Sequence, residues 1–238
     1  MGRDAKAPRP RARITGSVYL LYFLTVISAD LPVKGLIASG DAAATANNIM
    51  AHEALFRASF AINLLATALY IALTVLLYQL FKPVNRQLAL LATFFSLVGC
   101  AIQAQGYVYS LTPYVLLRGA PYLSVFKIDQ LQALVLMFLK LRSLAEQIDL
   151  VFFGFFDLLI GCLILRSTFL PRILGVLMAL AGLGWLIFLF PPLANDLSRY
   201  ILPLGFLAEL FLMLWLLAKG VNVQRWEEQA GAAGLAIS

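Results

Sequence analysis

Six long apolar runs, near residues 14–36, 55–81, 87–112, 146–166, 171–193 and 199–219, occupy most of this 238-residue chain. Each approaches or exceeds the roughly 20 residues that a helix needs to cross the ~30 Å hydrocarbon layer of a bilayer. Within that layer no water satisfies the backbone, so runs of this length predict helices. With 62% hydrophobic and 13% charged residues, the chain could not hide its apolar surface in one water-soluble core. Pro83, Pro171 and the Pro191-Pro192 pair punctuate the boundaries, where proline ends or starts a helix. The expected fold is therefore all-α, a polytopic membrane helix bundle with six transmembrane helices. Residues 14–219 form a single domain, between a basic cytoplasmic tail at 1–13 and a cytoplasmic C-terminal tail at 220–238.

The first run, Ser17 to Ser28, has the size of a signal-peptide core, but Asp30, Pro32 and Lys34 interrupt it and no small-x-small cleavage site follows closely. It reads as helix one. Cys100 and Cys162 both fall inside apolar spans, at depths differing by about 10 Å, more than a disulfide bridges. Free thiols are expected.

Orientation follows from the basic residues. Arg3, Lys6, Arg9, Arg11, Arg13, Lys82, Arg86, Arg166, Arg172, Lys219 and Arg225 fall on one side, against only Asp4, Glu227 and Glu228. The positive-inside rule places that side, with both termini, in the cytoplasm of a cell-membrane protein. The net charge of +6 thus reflects topology, and the scattered basic residues argue against nucleic-acid binding. Between Tyr122 and Gln147 the reading is less direct, because the apolar stretch Leu131 to Leu139 spans only about 15 Å between Lys127 and Asp129 on one flank and Lys140 and Arg142 on the other. Leu131, Leu134, Val135, Phe138 and Leu141 follow helical spacing, which predicts one extracytoplasmic interfacial amphipathic helix feeding into span four. The alternative is a seventh span.

Ionisable and amide groups inside a bilayer are costly and mark either function or helix packing. The candidate intramembrane polar site comprises Arg57, Asn63, Gln103, Asp157 and Glu209, with Gln105 nearby and Asp30 and Asp149 nearer the outer ends. Gln103 lies between Gly99 and Gly106, Asp157 between Gly154 and Gly161, and Glu209 follows Gly205 by one turn. Small residues at helical spacing mark packing faces, so these polar groups are expected to point inward. Asn63 continues a line from Ser59 to Thr67. A functional reading makes this a polar cavity with Arg57 as counter-ion; the structural reading makes it interhelical hydrogen bonding. Tyr107, Tyr109, Tyr114, Tyr122, Tyr200 and Trp226 read as interfacial belts.

His52 is the only histidine, which sets aside bis-histidine haem, a zincin site and a Ser-His-Asp triad built by this chain alone. No phosphate-binding Gly-Lys-Ser/Thr loop, dinucleotide glycine pattern or carboxylate-rich metal motif occurs. No metal or cofactor is predicted, and no internal repeat or proline-broken span signals a secondary transporter.

The block Phe152-Phe153-Gly154, Gly161, Leu163-Ile164-Leu165-Arg166-Ser167, Phe169-Leu170-Pro171-Arg172-Ile173-Leu174-Gly175-Val176-Leu177 and Ala181-Gly182-Leu183-Gly184-Trp185 resembles the four-three-eight-six family of domains of unknown function. Arg13-Ile14-Thr15-Gly16 and Leu55-Phe56-Arg57 look like that family too, so the resemblance covers about residues 13 to 219. It implies a bacterial multi-helix inner-membrane protein and no activity. Physically the block reads as a helix hairpin, with Arg166 and Arg172 at the headgroups and Gly175, Ala179 and Gly182 as a packing stripe. The leading functional expectation is a non-enzymatic membrane component. Its partners would be the bilayer, a lipid or hydrophobic small molecule, and a partner membrane protein or second copy of the chain. The alternatives are a small proton-coupled transporter using Asp157 and Glu209, or an intramembrane enzyme on a lipid-like substrate.

Overall fold

The computed structural model describes residues 8–234, with side chains from residue 11 onward; Arg3, Asp4, Lys6 and the side chain of Arg9 lie outside that description. The described residues are helices and short connections, with no strand among them. The helices are α1 (Pro8–Asp30), α2 (Ala42–Ala51), α3 (Glu53–Phe81), α4 (Arg86–Ser110), α5 (Thr112–Leu117), α6 (Ile128–Arg166), α7 (Arg172–Trp185), α8 (Pro191–Ala218) and α9 (Val223–Ala232). Six stretches are long and apolar enough to cross a membrane: Arg11–Leu36, Glu53–Phe81, Arg86–Leu117, Ile128–Arg166, Arg172–Leu189 and Pro191–Ala218. This is the build of a multi-pass membrane protein.

The segment expected to form its own interfacial helix is not a separate element. It is the first half of α6, 39 residues without a break. Neither proline nor glycine occurs between Ile128 and Phe153, and the charges that interrupt its hydropathy, Lys140, Arg142 and Glu146, belong to good helix formers. At 1.5 Å per residue α6 is about 58 Å long, roughly twice the hydrocarbon thickness. A helix of that length exceeds one bilayer core, and Ile128–Arg166 counts as one candidate span among six.

The fold gathers the chain into two compact units. Among the described residues, the first comprises 8–21, 69–100 and 148–234. Its core holds Tyr19, Leu73, Leu77, Phe81, Leu163, Ile164, Met178 and Leu212, all fully buried. Within it α6 and α7 meet backbone to backbone along the expected glycine stripe. A Cβ on Gly161 would stand 2.6 Å from Ala179 N, and one on Gly182 would stand 2.5 Å from Gly154 O and from Leu158 N. One on Gly175 would stand 2.9 Å from Gly161 O and from Leu165 N. Without a hydrophobic drive between helices in lipid, such close approach supplies the dispersion contacts that hold them together. Cys100 and Cys162 are free, as expected.

The C-terminal segment of this unit is also helical. Gly220, at φ 69°, closes α8 by donating to Trp215 O at 3.0 Å, the left-handed cap that glycine favours. Asn222 then accepts from Arg225 N at 3.1 Å and starts α9. Trp226, read from sequence as an interfacial belt residue, is buried and donates its indole N–H to Leu80 O at 3.0 Å. Gln229 and Arg225 bond to the turn at Thr168.

The second unit comprises Tyr22–Ala68 and Ala101–Gln147. Its apolar core joins Val33, Leu36, Ile49, Phe56, Leu116, Leu123, Leu131, Val135 and Leu139. His52 caps the end of α2 and is exposed.

Gly161→Ala and Gly182→Ala should each lower the thermal midpoint of the detergent-solubilised protein, corresponding to about 1–3 kcal/mol of overpacking. Gly35→Ala, where nothing lies within 4 Å of the added carbon, should stay within about 0.5 kcal/mol. Equal midpoints for all three would show that the helices separate freely at the seam.

Candidate functional site

Four side chains of the second unit close a ring. Asn63, at the middle of α3 and 1% exposed, donates its amide to Asp30 Oδ1 at 2.9 Å. Tyr107, from α4, donates its hydroxyl to Asn63 Oδ1 at 3.3 Å. The guanidinium of Arg142, from α6, lies 5.5 Å from the centre of the Tyr107 ring and 3.8 Å from Asp30 Oδ1, which completes the circuit. Arg142 also donates from Nε to Glu146 Oε1 at 2.8 Å, one helical turn on. Beneath the ring, Thr67 Oγ1 donates to Gln103 Oε1 at 3.0 Å. Each member thus satisfies another, which an apolar environment requires of polar groups.

Two members of the ring, Asp30 and Arg142, line a cavity of about 680 Å³. Glu146 lines it as well, and so do Lys34 and Lys140. Its walls are apolar, with Val26, Ile27, Phe56, Leu136 and Leu139 among the lining residues. Volume and lining match a site for one small, largely apolar ligand oriented by a few polar groups.

The sequence-predicted residues fall in different places. Asn63 and Gln103 join the hydrogen-bond network of the second unit. Arg57, in the same unit, is exposed and pairs with Glu53 at 3.7 Å, a carboxylate that Arg118 also holds. Gln105 is exposed. Asp157 and Glu209 belong to the first unit, both buried. Glu209 Oε2 accepts from the Tyr19 hydroxyl at 2.7 Å, and Asp157 lies within electrostatic reach of Glu209 and Tyr19. Both Asp157 carboxyl oxygens are buried with no hydrogen-bond partner among the described residues, and the Trp185 indole nitrogen, packed against Gly205, has none either. Sequence reasoning did not assign Lys34, Tyr107, Lys140, Arg142 and Glu146 to a site. The one local signal was the Arg142–Glu146 spacing of four, a standard helical ion pair. No group of three or more His, Cys, Asp or Glu residues placed to hold a metal occurs among the described residues.

A multi-pass membrane protein with six candidate spans and a cavity lined by apolar and charged side chains is the class that fold and site define. Residues 14–220 match the model of a family described as a domain of unknown function, DUF4386, and the chain belongs to that family. An uncharacterized protein of Archaeoglobus fulgidus is 28% identical over 153 residues, covering 63% of this chain and 76% of its own length. No solved structure matches.

Tyr107→Phe removes one hydrogen bond from the ring and should cost about 0.5–1 kcal/mol. Asn63→Leu removes two bonds of the ring, the one to Asp30 and the one from Tyr107, and should cost more, about 1–3 kcal/mol. Unfolding by a denaturing detergent measures both, and a Tyr107→Phe cost equal to that of Asn63→Leu would deny Asn63 its central place.

Proposed function

We propose that this protein is a non-enzymatic component of the cell membrane that binds one amphiphile, a lipid or a hydrophobic small molecule, in the cavity of its second unit. The carrying observation is the cavity itself, about 680 Å³ lined mostly by apolar residues, with Asp30, Lys34, Lys140, Arg142 and Glu146 as its charged ones. That pattern suits a molecule with a tail and a head. The ring holds Arg142, Asp30 and Glu146 in place before any ligand arrives, so binding would carry little ordering cost at these polar groups. The distribution of basic residues puts both termini in the cytoplasm. On that orientation the cavity faces the extracytoplasmic side, and the first half of α6 rises to the outer headgroups there.

One observation favours a second reading, proton-coupled transport through Asp157 and Glu209. A fully buried carboxyl with no hydrogen-bond partner is the kind of group found on intramembrane ion paths. Under this reading, protein in liposomes should move protons in response to an imposed pH gradient, followed with an entrapped dye, and Asp157→Asn should abolish the flux. Absence of flux in the wild type leaves Asp157 and Glu209 as packing residues.

Amphiphile binding is tested by native mass spectrometry of protein extracted in mild detergent. The wild type should carry an adduct of lipid-like mass. Ile27→Trp and Leu136→Trp, which fill the cavity, should lose it while the melting midpoint stays unchanged. A wild type with neither an adduct nor a thermal shift on addition of lipid overturns the reading.

A further inference from the structure

We infer that the amphiphile carries an anionic phosphate headgroup, seated between Lys34 and Lys140; the inference rests on the binding reading above and names the ligand's chemical class. The cavity lining holds three cations and two carboxylates, and they are not equivalent. Arg142 is committed. Its side chain is 15% exposed, its Nε binds Glu146 at 2.8 Å, its other arm faces Asp30 at 3.8 Å, and its Cζ lies 5.5 Å from the centre of the Tyr107 ring. Asp30 is further held by the Asn63 amide. One guanidinium therefore answers both acids, and this trio carries one negative charge.

Lys34 and Lys140 stand apart from it. Lys34 opens the short turn Lys34–Leu36 that comes after α1, and Lys140 lies on α6. Both line the cavity, both are exposed, and neither makes an ion pair with any described residue. Their two charges leave the lining at net +1. A neutral head leaves that excess uncompensated beside apolar walls, whereas a phosphodiester with one negative charge cancels it. Lysine suits this task, as a compact charge on a flexible stem that reaches a phosphate without a fixed approach angle. A zwitterionic head is less well matched, because its ammonium would have to compete with Arg142 for Asp30 and Glu146.

The experiment measures binding to the full chain in a non-ionic detergent, by native mass spectrometry and thermal shift. The probes are phosphatidylglycerol, phosphatidylcholine of the same chains, and glycerol phosphate without chains. Phosphatidylglycerol should bind more tightly than phosphatidylcholine, and glycerol phosphate should produce no shift. Lys34→Gln and Lys140→Gln should each weaken phosphatidylglycerol about fivefold, from the ~1 kcal/mol that one lysine contributes near an anionic head. The same changes should leave phosphatidylcholine unaltered, and Lys140→Arg should keep most of the preference. Lys127→Gln, outside the cavity, should change nothing. Equal binding of the two lipids, or an equal loss in Lys127→Gln, overturns the inference while leaving amphiphile binding intact. Binding of glycerol phosphate as tight as that of the lipid overturns it in favour of a free phosphate ester. No binding of either lipid overturns amphiphile binding as well.

Discussion

A nearly buried guanidinium in an apolar surround has to be neutralised where it stands, and the arrangement of the second unit follows from that requirement on Arg142. Its charge draws in Asp30 from the end of α1 and Glu146 from its own helix. Asp30 in turn fixes the Asn63 amide, and Asn63 fixes the Tyr107 hydroxyl, whose ring lies against the guanidinium. Four helices, α1, α3, α4 and α6, are thereby joined by polar contacts in a part of the chain where apolar contact alone is not selective. Hydrogen bonds between membrane helices are individually modest, but a closed circuit leaves no member free to rotate without stranding its neighbours.

The first unit is held by the opposite device. Its seam between α6 and α7 is built by removing side chains, so that Gly154, Gly161, Gly175 and Gly182 bring backbone against backbone. There the specificity is steric, because a larger residue does not fit, whereas in the second unit it is electrostatic. α6 serves both, with Ile148–Arg166 in the glycine seam and its earlier half in the ring and cavity lining. A single unbroken helix thus carries the two kinds of packing determinant in one sequence.

The six spans and the inward direction of Asn63, Asp157 and Glu209 were legible because a bilayer imposes one length scale and small residues at helical spacing mark packing faces. The ring was not legible. Asp30, Asn63, Tyr107 and Arg142 come from four helices, and each has a mundane local reading: a helix end, a packing amide, a belt tyrosine, a flanking charge. Their meeting is a property of tertiary structure, which no local pattern encodes. The continuity of α6 was hidden for a related reason, since hydropathy falls at Lys140, Arg142 and Glu146 while helix propensity does not. Arg57, which sequence made a counter-ion, is exposed and paired with Glu53 because that carboxylate lies one turn away on its own helix.

The cap at Gly220 and the anchoring of Trp226 also bear on where the folded body of the protein stops. Hydropathy would draw that limit at Lys219, the last residue of the sixth apolar run, and would treat the residues beyond it as a polar appendage. With the Trp226 indole buried against the carbonyl of Leu80 and the Thr168 turn bonded to α9, a chain shortened to residue 219 would uncover apolar surface and leave backbone groups without partners. For expression and labelling, the structured part of this protein therefore includes α9.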